Sequence, residues 1–113
     1  MSAPVHLNRK LVLEAPVRAQ DGAGGQSETW IAQGTLWAEV KAGTGRETSG
    51  QFLTVSAVPY KIVVRAAPDG TPSRPKPDQR FREGNRIFRI LAVSEYDGRA
   101  QYLTCHAREE VAA

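Results

Sequence analysis

Arg80–Arg108, RFREGNRIFRILAVSEYDGRAQYLTCHAR, reads as three short strands joined by two tight turns. The turns are Glu83-Gly84-Asn85-Arg86 and Tyr96-Asp97-Gly98-Arg99. Asp-Gly between alternating apolar runs is a strong hairpin signal, because both central residues of a type I′ turn take positive φ. Gly84-Asn85 answers the same need. The spacing predicts strands over 79–82, 86–94 and 102–108. Within 87–93, Phe88, Ile90 and Ala92 are expected on one face and Ile87, Leu91 and Val93 on the other. A strand apolar on both sides is covered on both sides. One cover is the core; the other is a loop or a neighbouring subunit.

Working back toward the N-terminus, Tyr60–Ala66 alternates as a further strand. Between it and Gln79 lies Pro68–Pro77, PDGTPSRPKP, which holds four of the seven prolines. That density predicts a stiff, extended, protruding loop. A P-x-x-P ligand shows a similar pattern, but strands resume at Gln79. Thr35–Lys41 has a period of two, with Leu36, Ala38 and Val40 inward and Trp37 on the polar face. A tryptophan there is structural packing, a lid over a barrel end or an interface residue. Ser27–Ile31 and Lys10–Ala15 are two more β-prone runs, and Pro16 is expected to end the second or mark an edge. Arg18–Gln26 reads as a flexible connection.

No helix is predicted. Six to seven short strands with regular turn signals point to an all-β fold, a small antiparallel barrel or sandwich with long loops. A chain of 113 residues makes one domain, with a flexible leader over 1–9 and a short tail over 109–113. No window approaches a membrane span, and Glu14 interrupts any signal-peptide apolar run. A single cysteine, Cys105, leaves no internal disulfide and fits a reducing cytoplasm. The net charge of +3 comes from scattered residues, which permits DNA contact without arguing for it.

Chemistry is hard to find in this chain. Cys105 and His106 are adjacent on a strand and point to opposite faces, so they neither chelate one metal nor form a nucleophile pair. Glu109-Glu110 falls in the expected tail, and Asp69, Asp78 and Asp97 fall in turns that explain them. Ala42–Gln51 is glycine-rich, but it lacks the third glycine of a dinucleotide loop and the Gly-Lys-Ser/Thr of a P-loop. It is followed by the strand pattern Phe52–Val58, where phosphate binding needs a helix. No enzyme, metal or cofactor is expected.

Three loops remain: Arg18–Gln26, Ala42–Gln51 and Ala67–Gln79. Ordering ten residues costs on the order of 10 kcal/mol. Burying one large apolar side chain returns about 1.5–3 kcal/mol. The loops hold almost none, so they are expected to be mobile in a lone subunit and held by partner chains. That describes an assembly component.

Several segments, in order, carry a resemblance. They are Leu11–Val17, Asp21–Gly25 with Thr29-Trp30, Leu36–Val40, Gly45-Arg46-Glu47, Tyr60–Arg65 and Gly84–Ile90. Together they resemble the head–tail joining (head-closure, or stopper) proteins of tailed phages, prophages and gene transfer agents. The Pro-rich loop Asp69–Pro77 departs from that pattern, being longer.

The resemblance implies a small β-barrel in a ring, usually of six subunits, between portal or adaptor and the tail terminator or tail tube. Such a ring closes the head around double-stranded DNA, which it contacts without sequence specificity. It implies a subunit or channel contact at Gly45, Arg46, Glu47, Thr48 and Gln51, and a contact to a neighbouring ring or the DNA path at Thr71, Arg74, Lys76 and Gln79. Trp30 and Trp37 are its candidate interface aromatics. The competing expectation is a nucleic-acid-binding barrel of the OB or SH3-like type, which needs aromatics on a basic sheet face.

Overall fold

The computed structural model describes residues 4–43, 58–98 and 100–110. Gly45, Arg46, Glu47, Thr48, Gln51 and the strand pattern Phe52–Ala57 lie outside the described residues. Six strands follow in order: β1 (Arg9–Gln20), β2 (Gln26–Ala42), β3 (Val58–Arg65), β4 (Arg80–Glu83), β5 (Arg86–Glu95) and β6 (Tyr102–Glu110). All pairings are antiparallel, and the order β1-β2-β3-β6-β5-β4 closes on itself through β1 and β4. The fold is therefore the barrel of the two expected forms. Closure leaves no open sheet edge around its wall.

The core follows the strand alternation. Leu11 and Leu13 of β1, Ile62 and Val64 of β3, Phe81 of β4, Phe88 and Ile90 of β5, and Leu103, Cys105 and Ala107 of β6 fill the interior with Ala38. Leu36, Val40, Tyr60 and Val93 pack around them. Tyr60 meets Phe88 edge-to-face, with ring centroids 5.1 Å apart. Cys105 is part of this packing. Burial pushes its thiol up to about 12, so it is an apolar core residue and not a nucleophile.

Four expectations are corrected in whole or in part. First, of the two outcomes expected at Pro16 the edge holds and the strand end does not: β1 runs through it to Gln20. Beyond Glu14, β1 has only β2 beside it, so Pro16 lies on an edge, where a sheet tolerates proline. Second, the two segments around Trp30 and Trp37 are one strand, because a bulge at Gln33 carries β2 through. Third, Leu91 is the extra residue of a bulge in β5, since Ile90 pairs Ala107 and Ala92 pairs His106. Alternation restarts there. Val93 turns to the core, while Leu91 and Ala92 are exposed. Fourth, Glu109 and Glu110 are not tail residues but pair with Phe88 and Ile87.

The two turns of the meander differ. Glu83 pairs Arg86 across Gly84-Asn85, a two-residue turn in which Gly84 takes φ +59° and Asn85 does not turn positive. That is the type II′ pattern, with glycine first. The Asp97-Gly98 connection is wider, because β6 starts only at Tyr102 and Tyr96 N–H donates to Tyr102 O at 3.0 Å.

Candidate functional site

Two features stand outside the packed barrel: a projecting ribbon and the outward face of the wall. The ribbon is the far half of the β1–β2 hairpin, Ala15–Gln20 against Gln26–Ile31. At about 3.3 Å per residue it reaches roughly 20 Å from the rim. The sequence Asp21-Gly22-Ala23-Gly24-Gly25 makes its tip. Asp21 Oδ1 accepts the N–H groups of Ala23 and Gly25 at 2.9 and 3.1 Å, which holds its carboxyl below the usual range. The stretch expected to be a flexible connection is thus a capped five-residue turn, 21–25, flanked by strand.

The ribbon's two faces differ. Pro16, Arg18, Glu28 and Trp30 share the outward face and are bolted to the barrel. The Arg80 guanidinium lies 4.1 Å from the Trp30 ring centroid and that of Arg89 lies 5.4 Å away. Arg18 pairs with Glu28 and with Asp78, and Asp78 also accepts from Arg89. The two arginines hold the Asp78 carboxyl below its ordinary value. Beside them, the buried Glu14 accepts from Arg80 Nε at 2.7 Å and Arg82 Nε at 2.8 Å. The opposite face carries Ala15, Val17 and Ala19 beside Ile31, Thr29 and Ser27. It continues the inward side of β1, past Leu11 and Leu13, to where no strand among the described residues faces it. It is uncharged, with Val17 43% and Ile31 50% exposed.

The Pro-rich loop is folded on itself rather than extended. Pro75 is fully buried, Arg74 donates to Ala67 O at 2.7 Å and pairs with Asp69, and Thr71 Oγ1 donates to Pro68 O. Gln79 Oε1 accepts Lys76 N–H at 3.0 Å. Thr71, Arg74 and Gln79 are therefore spent on the loop's own shape, and of the four predicted residues Lys76 alone leaves its side-chain cation unengaged. The loop is anchored by a buried proline and by polar contacts, which a count of apolar side chains misses. Trp30 is half-buried beneath two arginines, and Trp37 is 54% exposed with Lys10 Nζ 5.9 Å from its ring. Asp78, expected only to shape a turn, takes φ +77° and ties the ribbon to β5.

The barrel's other end is tied by Arg9, Glu83, Arg86 and Glu109. Arg9 Nε meets Glu83 at 3.0 Å, and Arg86 Nε meets Glu109 at 2.8 Å. These guanidiniums hold Glu83 and Glu109 below the usual carboxylate range. Residues 4–8 run against β2, where His6 N–H donates to the buried Glu39 at 3.0 Å and Asn8 N–H to Ala38 O at 3.1 Å. The leader is pinned from His6 onward. No group of three or more metal-ligating side chains forms among the described residues.

The family model for phage head completion proteins matches residues 3–110. The chain belongs to the phage head completion protein family. A chain in the virion of a native gene transfer agent particle is 61% identical over 94% of this chain and 96% of that one, with a TM-score of 0.77. The solution structure of protein SF1141 from Shigella flexneri 2a matches at a TM-score of 0.61 and 23% identity, covering 88% of this chain and 89% of that one, and shows the same fold. No curated protein matches the chain. Family membership makes this head completion protein a structural component of a phage-type particle.

Proposed function

We propose that this head completion protein forms a ring, of six subunits as the resemblance implies, in the neck of a phage-like particle, assembled in the bacterial cytoplasm. The ring sits between portal or adaptor and tail, surrounds the passing double-stranded DNA without reading its sequence, and docks the tail terminator or tail tube. Ala42–Gln51 supplies the subunit or channel contact in this reading, through Gly45, Arg46, Glu47, Thr48 and Gln51. Lys76 is the cation of the Pro-rich loop that reaches a neighbouring ring or the DNA path. The protein performs no catalysis.

The observation that carries the reading is the ribbon. It is held on its charged face by ion pairs and by Trp30, and its uncharged, core-parity face meets no strand among the described residues. Burying a large apolar side chain returns about 1.5–3 kcal/mol, and Val17 and Ile31 are already half covered, so one such contact holds no free dimer. A closed ring repeats the contact in every subunit, and contacts too weak alone then act together.

The double variant Val17→Asp with Ile31→Asp tests this. Both residues are exposed, so the variant keeps its folded circular dichroism spectrum and melting temperature. Particles complemented with it are expected to show heads without tails in electron micrographs. Normally tailed particles would sink the reading.

A further inference from the structure

The outward face of β2, β3, β6 and β5 carries a trough of about 420 Å³ whose floor is Val63 and Thr104. Both are nearly inaccessible, at 4% and 9% exposed, although they point away from the core. The cross-strand register sets Lys41 directly opposite Lys61, and Lys61 directly opposite His106. Like charges facing each other across a ladder are unfavourable for the fold. Lys41 has partial relief in Glu39, at 3.7 Å, and Glu39 is itself committed to the His6 N–H. Lys61 has none.

Most arginines elsewhere are paired: Arg9, Arg18, Arg74, Arg80, Arg82, Arg86 and Arg89 each meet a carboxylate. Among the described residues five cations meet none: Lys10 beside Trp37, Lys76 in the Pro-rich loop, and Lys61, Arg65 and Arg108, the last three on the outward face of β3 and β6. The hydroxyls of Ser94 and Thr104 add neutral donors at the wall and floor. The remaining carboxylate, Glu95, pairs with Leu103 at the rim, on the inward parity of β5.

We infer that the trough seats an acidic side chain from an extended segment of a partner protein, between Lys61 and His106 and over Thr104. Nucleic acid fits less well. Nucleic-acid affinity rests on many cations neutralising successive phosphates, and here Lys41 is partly neutralised by Glu39 while Glu95 stands at the rim. The aromatics expected for a nucleic-acid barrel come together here only in part. Tyr96 and Tyr102 are turned edge-to-face, and the Arg65 guanidinium lies 6.0 Å over the Tyr102 ring, so that stacking face is taken. That the segment belongs to a particle protein rests on the proposed role; the binding itself does not.

The test uses the full chain in solution, with a hexaglutamate peptide followed by amide chemical shifts. Hexaglutamine, single-stranded DNA and duplex DNA are the comparison probes. Shifts are expected at Lys61, Val63, Thr104 and His106 with hexaglutamate and not with hexaglutamine. Lys61→Ala is expected to weaken binding by about fivefold or more, while melting no lower than the parent because it removes the facing charge. Lys10→Ala makes the same change of net charge outside the trough and is expected to alter affinity by less than about twofold. No saturable shift, equal losses in the two variants, or tighter binding of either DNA would overturn the inference. If the peptide binds and Lys61→Ala particles still acquire tails, the segment is not part of the joint. The trough then stands and its partner lies elsewhere.

Discussion

Glu14 is the residue whose role changes most between sequence and structure. In Leu11-Val12-Leu13-Glu14-Ala15 it interrupts an apolar run, and by strand parity it belongs on the solvent side. It does point outward, yet it is 5% exposed because Arg80 and Arg82 of β4 close over it. The hydrogen bonds are charge-assisted, and both arginines keep access to water, so neither is stranded when the carboxylate is removed. Glu14→Ala should therefore cost about 2 kcal/mol, between an exposed pair and a fully buried one. Urea unfolding checks this; a loss below about 0.5 kcal/mol would mean the pairs contribute no more than surface ones.

The strands themselves were largely legible, and their errors have one cause. Runs of alternating residues marked β3, β4 and β6 closely, and the Gly84-Asn85 turn was found from its glycine. The bulges at Gln33 and Leu91 were not found, because a bulge appears in sequence as an ordinary residue; only the partner strand reveals the extra one. The bulge in β5 yields a sharp contrast between neighbours. Leu91→Asp should change stability by no more than about 0.5 kcal/mol, since Leu91 is 51% exposed. Ile90→Asp, at 1% exposed, should leave no folded protein at room temperature, because it loses a core side chain and buries a charge. Thermal melts of the two variants decide it; equal melting temperatures would mean the strand is in another register.

At the scale of the molecule, the barrel closes through only a short ladder, Val12–Glu14 against Arg80–Arg82. Ion pairs at both ends of β4 reinforce it. Glu83 and Glu109 have carboxyls held below their ordinary values by Arg9 and Arg86. A depressed carboxyl contributes stability above its unfolded value and loses it as pH falls through the folded value. The contribution should be complete at pH 7, begin to fade below about 4.5, and vanish once both groups are protonated. Glu83→Gln should accordingly be less stable than the parent by about 1 kcal/mol at pH 7, with the two converging in strong acid. A gap in denaturant midpoint that persists unchanged to pH 2 would assign the loss to packing instead.

Sequence alone determined that this chain is all-β, that its meander turns at Gly84 and near Gly98, and that Cys105 and His106 share no chemistry. Those are local matters, set by side-chain parity and by which residues tolerate positive φ. Sequence order was also enough for the family resemblance. Tertiary structure decided the rest: that the sheet closes as a barrel, that β1 and β2 run on as a ribbon, and that Trp30 lies beneath Arg80 and Arg89. It also set Lys41, Lys61 and His106 side by side across three strands. Each of these joins residues far apart in the chain. Register between strands is a property of pairs, and no single segment carries it.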